Sequence, residues 1–75
     1  MYTLDRLPCN REAVITAVNT PGLLRRRLMD LGFLPGSTVY RLFRAGFGGP
    51  DAYYIRGAVI ALRQEDGALL RAKLR

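Results

Sequence analysis

Residues 31–36, Leu-Gly-Phe-Leu-Pro-Gly, narrow the choice of fold more than any other stretch of this chain. Upstream, Leu24, Leu28 and Leu31 recur at i, i+4 and i+7, one stripe of a helix, and we expect that stripe to be core. Gly32 then stands where a left-handed C′ residue belongs, with Phe33 at C″ and Leu28 at C3, the pair that meets in a Schellman motif. Pro35-Gly36 suits the centre of a type II turn, because proline presets the first φ and glycine supplies the positive second one. The segment is a helix, a stop and a sharp turn into a strand. At the other end, Asn19 or Thr20 can cap the helix, and Pro21 suits its first position.

Short strands account for the remainder. Residues 2–10 are an extended lead-in anchored by Leu4 and Leu7, and 8–11 form a turn in which Asn10 tolerates a left-handed backbone. Residues 11–18 make a strand with Ala13, Ile15 and Ala17 on one face and Val14, Thr16 and Val18 on the other. Residues 37–44 make a second, imperfectly alternating strand: either Phe43 joins Val39 inside, or a bulge switches the register. Residues 52–55 place Tyr53 and Ile55 opposite Tyr54. Arg56-Gly57 is a tight hairpin turn. Residues 58–63 point Ile60 and Leu62 inward, 64–67 form a turn or one helical turn, and 68–74 alternate Leu70, Ala72 and Leu74 against Arg71 and Lys73. The expected fold is mostly β, a small five-stranded barrel with one short α-helix inserted after the first strand, since closure removes exposed edges.

Seventy-five residues make a single domain spanning 1–75. The longest apolar run, residues 58–62, is far short of the roughly 20 residues a membrane span needs, and the start has no signal-peptide pattern. A cytoplasmic location is expected. One cysteine, Cys9, allows no internal disulfide, and the absence of histidine removes histidine-based catalysis and zinc sites. Glu65 and Asp66 are adjacent, so their side chains diverge rather than flank a substrate. We therefore expect no enzyme activity, no cofactor and no metal site.

The net charge of +6 has two readings, an acidic or nucleic-acid partner or plain solubility, and the arginines are spread along the chain. Arg25, Arg26 and Arg27 project about 100° apart on a helix and cannot form one patch. Arg26 can pair with Asp30 at i+4. Leu23 and Met29 lie off the leucine stripe beside Arg25 and Arg26. Apolar side chains among exposed arginines suit a docking surface, unless a neighbouring loop covers them. Residues 45–51 form a mobile glycine-rich loop with Phe47 at its tip, and such loops concentrate binding residues. The candidate partner-binding residues are Leu23, Arg25, Arg26, Met29, Phe47 and Tyr54. A second reading is a small basic barrel binding single-stranded nucleic acid, with Tyr40, Tyr53, Tyr54 and Arg56 lining a groove. Against it, acids are interspersed with the basic residues and no RNA-binding motif is present, so a nucleic-acid partner is not expected.

The stretches at 23–39, 48–57 and 60–74 together resemble the ferrous iron transport protein A (FeoA) family, over essentially the whole chain. The resemblance implies an SH3-like barrel and a cytosolic accessory protein acting by contact with FeoB, the membrane ferrous iron transporter that carries a GTPase domain. Such a protein meets the membrane only through that partner. Leu28, Leu31, Gly32, Pro35 and Gly36 match the family's helix-to-turn signature, and Arg56, Gly57, Leu62 and Arg63 its hairpin signature. The 45–51 loop departs from the family's pattern: Gly46 replaces a proline, Gly49 an acid and Asp51 an apolar residue.

Overall fold

The computed structural model describes residues 1–44, 46 and 49–75. In chain order it contains β1 (Tyr2–Thr3), a 3-10 turn (Leu4–Arg6), β2 (Ala13–Val18), α1 (Gly22–Asp30), β3 (Thr38–Phe43), β4 (Asp51–Ile55), β5 (Ala58–Leu62), α2 (Gln64–Gly67) and β6 (Leu70–Leu74). The strands form one antiparallel sheet in the order β1-β6-β2-β3-β4-β5. This corrects the expected barrel in three ways. Among the described residues there are six strands, not five. The helix follows the second strand. The sheet does not close, because β1 and β5 stand at opposite edges and do not pair. The extra strand is Tyr2–Thr3, paired with Ala72 and Arg71, and two residues are too few to show a period.

Two bulges curl the sheet around its core. The first, between Ile15 and Ala17 in the β2–β6 ladder, switches the face of β2. Val18 is therefore buried with Ala13 and Ile15, while Ala17 is half-exposed. The second, between Arg41 and Phe43, lies in the β3–β4 ladder. A bulge was one of the two alternatives for this strand, and Phe43 remains exposed. The residue that points inward with Val39 is Arg41.

Arg41 and Asp51 are both buried, and Arg41 Nη2 lies 2.6 Å from Asp51 Oδ2. Arg41 Nη1 donates to the carbonyl of Leu7 at 3.0 Å, and the Asn10 N–H donates to the Arg41 carbonyl at 2.7 Å. One side chain thus fastens the lead-in and the start of β4 to β3. A buried charge survives only when paired and hydrogen-bonded, and Arg41 provides that pairing for the acid at position 51.

The turns follow the expectation closely. Asn10 has φ 60. Gly32 has φ 112, its N–H donates to the Met29 carbonyl, and the Phe33 N–H donates to the Leu28 carbonyl, completing the Schellman pattern. Gly36 has φ 93 and the Ser37 N–H reaches the Leu34 carbonyl, as a type II turn requires.

The helix face does not follow it. Leu28 is 1% exposed, but Leu24 is 38% and Leu31 46% exposed. The reason is the reversal at Gly32, which swings Phe33 back into the core. Phe33 is fully buried and meets Tyr53 edge to face, with ring centroids 6.4 Å apart. Leu28 and Phe33 together do the sealing expected of three leucines. The start of α1 also differs: Pro21 is the N-cap, without a side-chain hydrogen bond, and the Asn19 N–H is held by the Leu69 carbonyl instead.

Removing Asp51 leaves the buried Arg41 without its carboxylate, and removing Arg41 leaves the buried Asp51 without its guanidinium. We predict that Asp51→Ala or Arg41→Ala costs about 3–5 kcal/mol in urea unfolding, and that Arg41→Met with Asp51→Leu costs less than either single change. Single losses below about 1 kcal/mol would show that other groups or water take over from the missing partner.

Candidate docking surfaces

The exposed side of α1 is built from residues that the reversal at Gly32 turns away from the core. Leu23 is 69% exposed, and Leu24 and Leu31 add apolar surface to the same short helix. Arg25, Arg26 and Met29 line a hollow of about 490 Å³, open to solvent, together with Gly22, Asp30 and Leu34. Met29 is half-buried and Leu23 is exposed, so no neighbouring loop among the described residues covers Leu23. Arg25 does not simply face outward: its Nε donates to the Val18 carbonyl at 3.3 Å, tying the helix to the end of β2. Among the described residues no ion pair joins Arg26 to Asp30, which leaves the Arg26 guanidinium available at the hollow's rim.

Leu34 escaped the sequence reading. It sits between Gly32 and Pro35, a position assigned to a turn and not to a surface. Its signal was chemical type, a large apolar residue inside a turn, and here it lines the hollow beside α1.

Tyr54 is not part of that hollow. It lies on the outer face of the sheet, opposite Val59 in register and next to Tyr40, with ring centroids 6.3 Å apart. The Tyr40 hydroxyl donates to Glu12 Oε1 at 2.8 Å, and this hydrogen bond holds the Tyr40 pKa above its ordinary value. Glu12 also pairs with Arg75 at 3.0 Å. Tyr53, the third tyrosine of the proposed nucleic-acid groove, is fully buried against Phe33 and cannot stack on a base. Its burial drives its pKa upward. Phe47 lies outside the described residues.

The two signature stretches meet in space. Arg56 has φ 49 and Gly57 φ 83, so the hairpin turn is left-handed at both positions. The Arg56 stem lies against Gly32, where a Cβ would stand 2.5 Å from Arg56 Cδ. The aliphatic stem of Arg56 therefore packs on the residue that ends α1. Gly32, Gly36 and Gly57 hold left-handed backbone, Leu28 is core, and Arg56 packs its stem on Gly32 while remaining exposed, whereas Leu31 is largely in solvent. Among the described residues, no group of three or more potential metal ligands comes together, and no helix is long and apolar enough to cross a membrane.

The model of the FeoA domain matches residues 2–73. An Fe(2+) transport protein A/Fe(2+) transporter FeoB fusion protein from Porphyromonas gingivalis is 32% identical over 71 residues, covering 95% of this chain and 8% of the fusion. Iron(II) transport protein A from Clostridium thermocellum superposes with a TM-score of 0.90 at 27% identity, over 97% of this chain and 45% of that one. FeoA from Stenotrophomonas maltophilia, solved with zinc and described as a prokaryotic SH3 domain protein, gives a TM-score of 0.83 at 26% identity, over 97% and 91% of the two chains. The chain thus spans a small part of the curated relative and about half of the first structure.

The contact between the signatures makes a differential prediction. Gly32→Ala meets both a left-handed φ and the Arg56 stem, while Gly36→Ala meets only the φ, with nothing within 4 Å. Each left-handed alanine costs about 1–2 kcal/mol, so Gly32→Ala lowers the thermal midpoint further than Gly36→Ala. Equal losses would mean that Arg56 moves aside freely.

Proposed function

The chain belongs to the FeoA domain family, and from that premise we propose that it serves ferrous iron uptake as a cytoplasmic accessory module, docking on the cytosolic part of a FeoB-type membrane transporter. The observation that carries this reading is the fusion relative, in which a segment 32% identical to nearly the whole of this chain is joined to an iron transporter. Joining two domains in one polypeptide raises their effective concentration to millimolar levels, which favours domains that bind each other.

The α1 hollow supplies the physical means. Leu23, Met29 and Leu34 offer apolar surface, and Arg25 and Arg26 frame it, the combination of apolar anchor and arginine that dominates interface energetics. The module acts by contact, biasing the state of the larger protein, and performs no chemistry itself.

Titration of labelled protein with the cytosolic domain of the transporter tests the assignment. Leu23→Ala and Met29→Ala weaken binding about tenfold or more, and Leu23→Ala shifts stability by less than about 1 kcal/mol because it is a surface change. Leu28→Ala instead costs about 2–5 kcal/mol of stability. Undiminished binding by Leu23→Ala, Met29→Ala and Arg26→Glu together would remove α1 as the docking face.

A further inference from the structure

The two edges of the sheet are guarded unequally. β1 is two residues long and winds at once into a 3-10 turn. β5 is a five-residue edge, Ala-Val-Ile-Ala-Leu, with no charge, no proline and no bulge in its ladder with β4. Soluble proteins blunt such edges with charges, prolines or bulges, because an unguarded one recruits another strand.

The hairpin turn settles which groups face outward. Arg56 and Gly57, both at positive φ, make a two-residue type I′ turn, so Ile55 and Ala58 close the hairpin as a hydrogen-bonded pair. Bonded and non-bonded pairs then alternate along the ladder, which makes Tyr54–Val59 and Ala52–Ala61 the non-bonded ones. The N–H and C=O groups of Val59 and Ala61 therefore point away from β4. Among the described residues no other backbone group takes them up. Val59 is 62% exposed and Ala61 is exposed as well.

Charge selects the occupant. Exposed arginines, Arg56 and Arg63, bracket the uncharged strand, on a chain of net charge +6; Glu65 and Asp66 follow only in α2. Antiparallel pairing with a second copy sets Arg56 of one chain near Arg63 of the other at both ends, and parallel pairing aligns like arginines. Both arrangements repel. An extended β-branched segment with an acid at each end meets opposite charge at both. We propose that the free edge of β5 accepts such an acid-flanked segment of a partner protein as an added strand, with Val59 and Ala61 making the main-chain hydrogen bonds and Arg56 and Arg63 holding the acids. No residue of β5 or of its turn lines the α1 hollow, and the inference stands whether or not the transporter docks there.

The probe is a fluorescein-labelled peptide, Glu-Thr-Val-Thr-Val-Thr-Val-Glu, whose acids match the seven-position separation of Arg56 and Arg63. Its twin carries lysine at both ends. The acidic peptide binds at least tenfold more tightly than the twin, by anisotropy, and slows amide exchange at Val59 and Ala61. Val59→Pro removes an outward N–H without touching the β4 ladder and abolishes binding. Should that variant fail to fold, Arg63→Glu, a surface change, gives at least a tenfold loss. Leu23→Ala leaves peptide binding unchanged. Equal affinity for both peptides, binding of neither, or unaltered exchange at Val59 and Ala61 overturns the proposal. So does self-association that protects those amides without peptide.

Discussion

The chain reversal at Gly32 is the constraint from which the useful features of this molecule descend. A left-handed residue there ends α1, satisfies its last carbonyls and redirects the backbone so that Phe33 enters the core. Once Phe33 and Leu28 fill that space, Leu31 and Leu24 have no place inside and remain at the surface. The same reversal delivers Leu34 to the side of the helix, where it lines the hollow with Met29. A glycine is required twice over, by its φ and by the Arg56 stem that lies against it. The stop signal of one helix thereby shapes both the core and the outer surface.

The sheet solves a different problem, how so short a chain encloses a core without closing a barrel. Its two bulges supply curl, and the Arg41–Asp51 pair ties β3, the start of β4 and the lead-in at Leu7 into one unit. A buried ion pair is not a cheap source of stability, because desolvation offsets most of the Coulombic gain. Its contribution here is specificity of arrangement: a strand register that moved Arg41 off Asp51 would separate two buried opposite charges. The open sheet leaves two edges, and only β1 carries an obvious guard.

Much of this was legible because local chemistry decides it. Asn10, Gly32, Gly36 and Arg56-Gly57 all adopt the left-handed conformations that their neighbours demanded, and the alternation of Tyr53, Ile55, Leu70 and Ala72 placed the inner face of β4 and β6. What could not be read was non-local. An arginine in an alternating strand looks like a solvated residue until its carboxylate partner is known, ten residues away across a ladder. The bulge that brings Val18 inside has no composition signature. The helix stripe misled because periodicity reports which residues share a face, not whether a residue beyond the helix will claim the space. Of the candidate site, Arg25, Arg26 and Met29 came together around one hollow with Leu23 exposed on the same helix, whereas Tyr54 joined the sheet face instead.

The proposed function rests on that exchange of Phe33 for the helix leucines: a small body whose core is closed without its helix face can lend that face to a partner. The direct measurement is methyl relaxation of the free protein by a soluble paramagnetic cosolute. The account predicts strong enhancement for the methyls of Leu23, Leu24 and Leu31 and little for Leu28. Protection of Leu24 and Leu31 equal to that of Leu28 would put the whole stripe in the core and contradict it.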